Sequence, residues 1–309
     1  MNARIKTEAR GYPLRAFNNR TLPDGYDGPV FVWDVDKTYL VTHFSSLRGL
    51  SRIPIEFAVD KRAIPGMPEV LRALRRGPGP GFACVPLYFV TGSPPLLRRV
   101  LEQKMLMDGV EQDGITFKDW LRTIREGRPR RLKEQVGYKV CALLHGRLSR
   151  PLAGEYLFGD DTEDDATAFT IYARILHGEL SAGEVVATLA GAGVSSEDRK
   201  HVFSLLDRLP TRRGRVERCF IHLARKTPPA SFQPFGQMVV PVRNAFQLAL
   251  ALYESGLVDQ KAVPQSLGAL YPARYEPWEE LEVEVADARD RGLISDAKLA
   301  DLKQLLPRV

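Results

Sequence analysis

Residues 29–38 read Pro29-Val30-Phe31-Val32-Trp33-Asp34-Val35-Asp36-Lys37-Thr38. A short unbroken apolar run that stops at an acidic pair has the pattern of a strand buried on both faces of a parallel sheet. Asp34 and Asp36 are two residues apart, so while the chain stays extended both side chains point the same way. The sequence further along repeats the arrangement. Val85 to Val90 is a second apolar run and leads into Thr91-Gly92-Ser93-Pro94. Ile115–Phe117 forms a shorter one, and Tyr156–Phe158 runs into Gly159-Asp160-Asp161-Thr162-Glu163-Asp164-Asp165. Cys219–Leu223 is the last apolar run that reads as a strand.

Between these runs the periodicity changes from two to 3.6. Met67, Val70, Leu71 and Leu74 follow helical spacing and end at the GPGPG of residues 77–81. A helix opened by Ser93-Pro94-Pro95 closes near Asp108-Gly109. Leu132, Val136, Val140, Leu143 and Leu144 mark another, and further helices fall at about 164–177 and 245–253. Strands that alternate with amphipathic helices predict an α/β fold, a Rossmann-like three-layer sandwich around a mainly parallel sheet. On this reading, residues 1–28 are an extended lead-in and residues 29–255 the core. The core carries a helical excursion at about 178–213, and residues 256–309 form a helical C-terminal tail.

Composition narrows the function classes. The chain has 309 residues, 44% of them hydrophobic and 27% charged, which is ordinary globular usage and excludes wholesale disorder. No stretch has the unbroken apolar length of a membrane span, and MNARIKTEAR lacks a secretory apolar core, so a cytoplasmic address is expected. Cys84, Cys141 and Cys219 stand far apart, against a disulfide framework or a cysteine zinc site. The net charge of +6 suits an anionic partner.

In an open parallel sheet, ligands bind beyond the carboxyl ends of the strands, and the polar residues of this chain fall at three such ends. Crowding five acids into the six positions 160–165 is costly unless a cation sits among them. Thr91, Gly92 and Ser93 offer a hydroxyl and free backbone amides at a helix entry, where phosphate is favoured; a plain N-cap at Ser93 is the alternative. Lys133 and Lys139 are the candidate positive charges in the right interval.

This set resembles the haloacid dehalogenase-like phosphatase superfamily. The shared features are Asp34-x-Asp36-x-Thr38, Thr91 after the second apolar run, Lys139 on a helix, and Gly159-Asp160 with Asp164 or Asp165 downstream. Within it the chain is most similar to the catalytic domain of actin-patch-associated phosphatidate phosphatases and their bacterial relatives. That similarity is carried by Phe89-Val90-Thr91-Gly92-Ser93-Pro94-Pro95, by Lys139 some twenty residues before Gly159-Asp160, and by Asp165 five residues past Asp160. The resemblance covers about residues 28–255 and departs at Lys37, where these families usually have Gly, Asp or Ser.

The resemblance implies a Mg²⁺-dependent phosphomonoester hydrolase with Asp34 as nucleophile and Asp36 as general acid and base. Thr38, Thr91, Gly92, Ser93 and Lys139 would hold the phosphoryl group. Apart from the resemblance, the charge of Lys37 directly after Asp36 makes it a candidate substrate contact, with an exposed lysine paired to an acid of 161–165 as the alternative. The metal would be held by acids drawn from Asp34, Asp36, Asp160, Asp161, Asp164 and Asp165. Two features bear on the substrate. Residues 122–133 carry Arg122, Arg125, Arg128, Arg130, Arg131 and Lys133, either a solvated face or a landing patch for an anionic surface. Only residues 39–64 separate Thr38 from Pro65, too few for a separate lid domain. That minimal cap points to bulky or polyanionic substrates, phospholipids among them. The competing expectation is a binding module for anionic lipid or nucleic acid on the same fold, although no specific nucleic acid is indicated. A receiver-like phosphoacceptor is disfavoured because its acid follows a later strand.

Overall fold

The computed structural model describes residues 5–8, 12–41, 58–125, 127, 134–271 and 278–306. Among them are eight strands: β1 (Ile5–Glu8), β2 (Leu14–Asn18), β3 (Pro29–Asp34), β4 (Leu87–Thr91), β5 (Gly114–Lys118), β6 (Gly154–Asp160), β7 (Val216–His222) and β8 (Val239–Val242). The helices that alternate with them are α1 (Met67–Arg76), α2 (Arg98–Met107), α3 (Trp120–Arg125), α4 (Gln135–Arg147), α5 (Asp165–Leu176), α6 (Ala182–Gly191) and α7 (Ser196–Leu206). The C-terminal part adds α8 (Ala245–Glu254), α9 (Ala262–Leu270), α10 (Trp278–Asp290) and α11 (Asp296–Leu302).

One sheet holds all eight strands in the order β1-β2-β5-β4-β3-β6-β7-β8. From β3 onward the strands run parallel, while β1 and β2 are antiparallel additions on the β5 edge. The parallel part starts in the middle at β3, adds β4 and β5 on one side, then β6, β7 and β8 on the other. The strand order therefore reverses between β3 and β6, where an open α/β sheet leaves a crevice.

Alternation along each strand makes the three layers. From β3, Phe31 and Trp33 enter a core shared with α1, α2, α8 and the C-terminal helices, and Val30 and Val32 enter a second core under α4, α5, α6 and α7. Trp33 stacks on Phe158 with centroids 4.3 Å apart, and Phe158 stacks on Phe220 at 5.1 Å. These three rings are register partners on neighbouring strands. Burying each contributes roughly 2–3 kcal/mol, and a one-residue slip would turn them out of this core toward the opposite face of the sheet. The same register sets Asp34, one residue past Trp33, at the strand end.

The expected strands and the longer helices are present with boundaries shifted by a few residues. The 1–28 segment does more than run over the surface. Leu14, Ala16 and Tyr12 are buried, and β2 pairs with β5 from Leu14↔Lys118 to Asn18↔Gly114. The 178–213 excursion forms α6 and α7, which bury Val185, Leu189, Val202 and Leu205. The C-terminal helices bury Leu281, Val285, Ala288 and Leu302 in the core of α8. At Gly66, with φ of 82°, a Cβ would fall 2.9 Å from Ser266 O, so α9 seats directly on the entry to α1. The minimal cap has its two ends pinned together by bridges from Leu40 to Asp36 and Ala63; its residues 42–57 lie outside the described part. No helix among the described residues is long and apolar enough to cross a membrane.

Candidate active site

The strands β3, β4 and β6 end side by side, and each delivers polar groups to one point. Asp34 is the last residue of β3, Thr91 the last of β4 and Asp160 the last of β6. Asp165 opens α5, and Lys139 reaches the same point from the middle of α4. All five are buried. One carboxylate oxygen from each of Asp34, Asp160 and Asp165 falls within a common 4.8 Å.

Lys139 is the counter-charge of this cluster. Its Nζ lies 3.0 Å from Asp34 Oδ1 and 3.2 Å from Glu163 Oε2, and it donates to Asp165 Oδ1. Desolvation disfavours the Lys139 ammonium, yet the surrounding Asp165, Asp34, Glu163 and Asp160 carboxylates outweigh it and hold its pKa well above the usual lysine range. The acids feel the opposite balance. Burial pushes Asp34 well above the ordinary carboxylate range, with Lys139 only partly offsetting it. Asp160 is raised for the same reason, and Asp165 is pushed up to about 7. Four carboxylates around one ammonium are short of positive charge. Buried Asp34 Oδ1 is met by the Lys139 ammonium at 3.0 Å and by no further hydrogen-bond donor among the described residues. An all-oxygen donor set of this kind fits a hard divalent cation.

The Gly159-Asp160 pair has a steric reason. A Cβ on Gly159 would fall 2.7 Å from both Cβ and Cγ of Asp165 and closer still to Oδ2. Only glycine lets the Asp165 carboxylate come under the strand end, where its Oδ2 accepts the Asp160 N–H at 3.0 Å. Gly159→Ala should therefore lower stability by roughly 1–3 kcal/mol and displace Asp165. Urea denaturation with and without Mg²⁺ checks this: an unchanged midpoint and an unchanged metal response would refute the steric role.

Asp36 faces the other way. Its Oδ2 accepts hydrogen bonds from Thr91 Oγ1 and Ser93 Oγ, both at 3.1 Å. Thr91 Oγ1 in turn accepts the Ser93 N–H at 3.0 Å. Ser93 is therefore bound to Asp36 and not an N-cap, and a 3-10 turn over Pro95–Leu97 intervenes before α2. The β4 loop is fixed from behind by Tyr138 Oη donating to Thr91 O at 2.7 Å and Trp120 Nε1 donating to Gly92 O at 2.6 Å. At Gly92 a Cβ would fall 3.0 Å from Gln135 Nε2, so glycine suits that close approach. Thr38 Oγ1 lies 3.4 Å from Asp34 Oδ2 and 3.5 Å from Asp160 Oδ2, within reach of both.

Of the six candidate metal acids, the structure gathers three carboxylates and sets three apart. Asp161 Oδ1 and Oδ2 accept the backbone N–H groups of Arg225 at 2.8 Å and Thr227 at 3.2 Å, so its side chain braces the loop after β7. Asp164 is exposed and left-handed, with φ of 58°, and Asp165 is the acid that turns inward. The Asp36 carboxylate is spent on Thr91 and Ser93, which leaves its backbone carbonyl as the group it could offer a cation. Lys133 lies outside the described residues, as do Arg128, Arg130 and Arg131 of the basic run. Sequence reasoning missed two contributors. Glu163 was only one acid in a run, and its contact with Lys139 depends on how the loop folds. His222 is half-buried and donates Nδ1–H to Lys37 O at 2.8 Å. Its place at the end of β7, on the ligand edge of the sheet, was the available signal.

No family model, curated protein or solved structure matches this chain.

Proposed function

We propose that this chain is a Mg²⁺-dependent phosphomonoester hydrolase of the haloacid dehalogenase-like type, working through a phosphorylated Asp34. One observation carries the reading. Asp34, Asp160 and Asp165 converge on Lys139 at the switch point of the sheet, with the hydroxyl-held Asp36 two residues from Asp34.

A phosphate ester resists hydrolysis because its anionic oxygens repel nucleophiles, so charge neutralisation and in-line positioning do most of the catalysis. Asp34, Asp160, Asp165 and the carbonyl of Asp36 would hold the cation. When bound, Mg²⁺ neutralises phosphoryl charge that the single Lys139 cannot balance alone. Asp34 attacks phosphorus, the P–O bond to the alcohol breaks, and an acyl phosphate forms on Asp34. Asp36 gives its proton to the departing oxygen, then takes one from the water that attacks the acyl phosphate. Inorganic phosphate leaves and Asp34 is free again. Thr91 and Ser93 keep Asp36 fixed through both steps, and Lys139 balances charge on the transferring group.

Hydrolysis of an aryl phosphate with Mg²⁺ and with a chelator tests the proposal. Activity that appears with the metal and vanishes on chelation is expected. A chain inert toward aryl, sugar, nucleotide and lipid phosphates, with Mg²⁺ present, would overturn it.

A further inference from the structure

The loops at the mouth of the site carry an unusual pair of lysines. Among the described residues, four that are not glycine have positive φ: Lys37 (62°), Cys84 (51°), Asp164 (58°) and Lys226 (58°). Three of these leave the carboxyl ends of β3, β6 and β7, around the candidate active site. Glycine adopts this backbone freely and lysine does so under strain, and a lysine there adds a group that glycine lacks. What it brings is an ammonium group.

The two lysine-bearing loops are joined. His222 donates Nδ1–H to Lys37 O at 2.8 Å, and the Asp161 N–H donates to His222 O at 3.1 Å. The Asp161 carboxylate then takes the backbone N–H groups of Arg225 and Thr227. Lys226 closes the turn by donating its N–H to Leu223 O at 2.9 Å. Lys37 is half-buried, and Arg225 and Lys226 are exposed on the adjoining loop.

The charges in this rim are unbalanced. Lys37, Arg225 and Lys226 make no ion pair with a described residue. Most nearby acids are already engaged: both Asp161 oxygens accept backbone N–H groups, and Asp34, Glu163 and Asp165 surround Lys139, which leaves exposed Asp164 as one rim acid against three cations. The negative charge of the cluster is turned inward on Lys139, and none of its acids lies within ion-pair distance of Lys37, Arg225 or Lys226. The phosphoryl group being transferred is shared by Lys139 and the metal, which leaves the rim short of negative charge.

We propose that the site takes phosphomonoesters bearing a second anionic group, a phosphate or a carboxylate, and that Lys37, Arg225 and Lys226 hold that group at the mouth. This rests on the phosphatase reading above and adds the substrate class. Long, flexible cationic side chains fix the charge of the second group more than its position, so the class is defined by charge and not by one skeleton.

The test compares kcat/KM for a sugar bisphosphate and the matching sugar monophosphate, with Mg²⁺, in wild type, Lys37→Gly and the double variant Arg225→Gln/Lys226→Gln. Wild type is expected to prefer the bisphosphate by about tenfold or more, through KM, with the preference fading at high salt. Each variant should remove most of that preference. Lys37→Gly relieves the backbone, so its melting temperature should hold or rise; a fall would assign Lys37 to the fold and overturn its part. A wild-type ratio near one, or variants that keep the ratio, overturns the proposal. Calorimetric titration of the Mg²⁺-loaded protein with a terminal alkane bisphosphonate and the matching monophosphonate separates this from the phosphatase reading. If wild type hydrolyses nothing yet binds the bisphosphonate more tightly, with loss in both variants, the anion subsite stands and the hydrolase reading falls. Equal binding of the two probes overturns the subsite, whatever the hydrolysis result.

Discussion

Asp34→Asn is expected to abolish turnover, by about a thousandfold or more in kcat, while leaving the fold at least as stable as wild type. The two halves of this result have one cause. Asp34 is buried with its carboxyl held well above the ordinary range, chiefly by desolvation and then by Asp165, Glu163 and Asp160 against the pull of Lys139. The site therefore keeps a charge it would be easier to fold without. Asn has the same shape and no charge, so the change lowers the repulsion within the cluster. A nucleophile, however, needs the carboxylate, and an amide forms no acyl phosphate. Melting temperature, steady-state turnover and acid-quenched phosphoenzyme trapping should be read together. The wild-type phosphoenzyme should be stable to acid, labile to hydroxylamine and missing in the variant. Activity above a tenth of wild type would end the covalent mechanism. A large drop in melting temperature would mean that Asp34 is chiefly structural.

What the sequence showed and what it hid follow from how far each signal reaches along the chain. β3, β4 and β6 were legible because burial on both faces demands an unbroken apolar run, and a run needs no knowledge of neighbours. β8 was not, because Val239-Val240-Pro241-Val242 is only four residues with a proline, tolerated at the edge of the sheet. β2 was hidden because Leu14-Arg15-Ala16-Phe17-Asn18 draws its stability from pairing with β5, a hundred residues on. α9 is only nine residues with Gly268 in its interior, a poor helix former there, and it is held by packing against α8 and the Gly66 turn. The same division runs through the site. Asp34, Thr91, Lys139 and Asp160 were legible because strand ends and one helix face fix them. The run Asp160 to Asp165 was not resolvable residue by residue. The αL turn at Asp164 swings Asp165 inward, and the loop after β7, sixty residues on, draws Asp161 away. Acid content was visible in the sequence, whereas direction was set by tertiary contacts.

Lys139→Ala should cost about a hundredfold in kcat and should also weaken the fold, in a way that Mg²⁺ partly repairs. The ammonium lies against buried Asp34 and Asp165 and part-buried Glu163, and it is the cation that these acids share in the described structure. Removing one partner of a buried ion pair commonly costs 3–5 kcal/mol, because the charge left behind has neither water nor a counter-ion. Here part of that cost is escaped by protonation, since Asp165 already has its pKa pushed up to about 7. A second escape is a divalent cation, which supplies the lost positive charge without restoring the lost contact to the phosphoryl group. Added Mg²⁺ should therefore raise the melting temperature of Lys139→Ala more than that of wild type, through binding to the folded state alone, while kcat stays low. Lys133→Ala is the companion variant. Lys133 stands in a basic run whose arginines can replace its charge, so both its stability and its kcat should remain near wild type. If the two lysine variants lost activity equally, the phosphoryl contact would not belong to Lys139. If Mg²⁺ shifted wild type and Lys139→Ala by the same amount, the cation and the ammonium would not be answering the same four carboxylates, and the metal would have to be placed elsewhere.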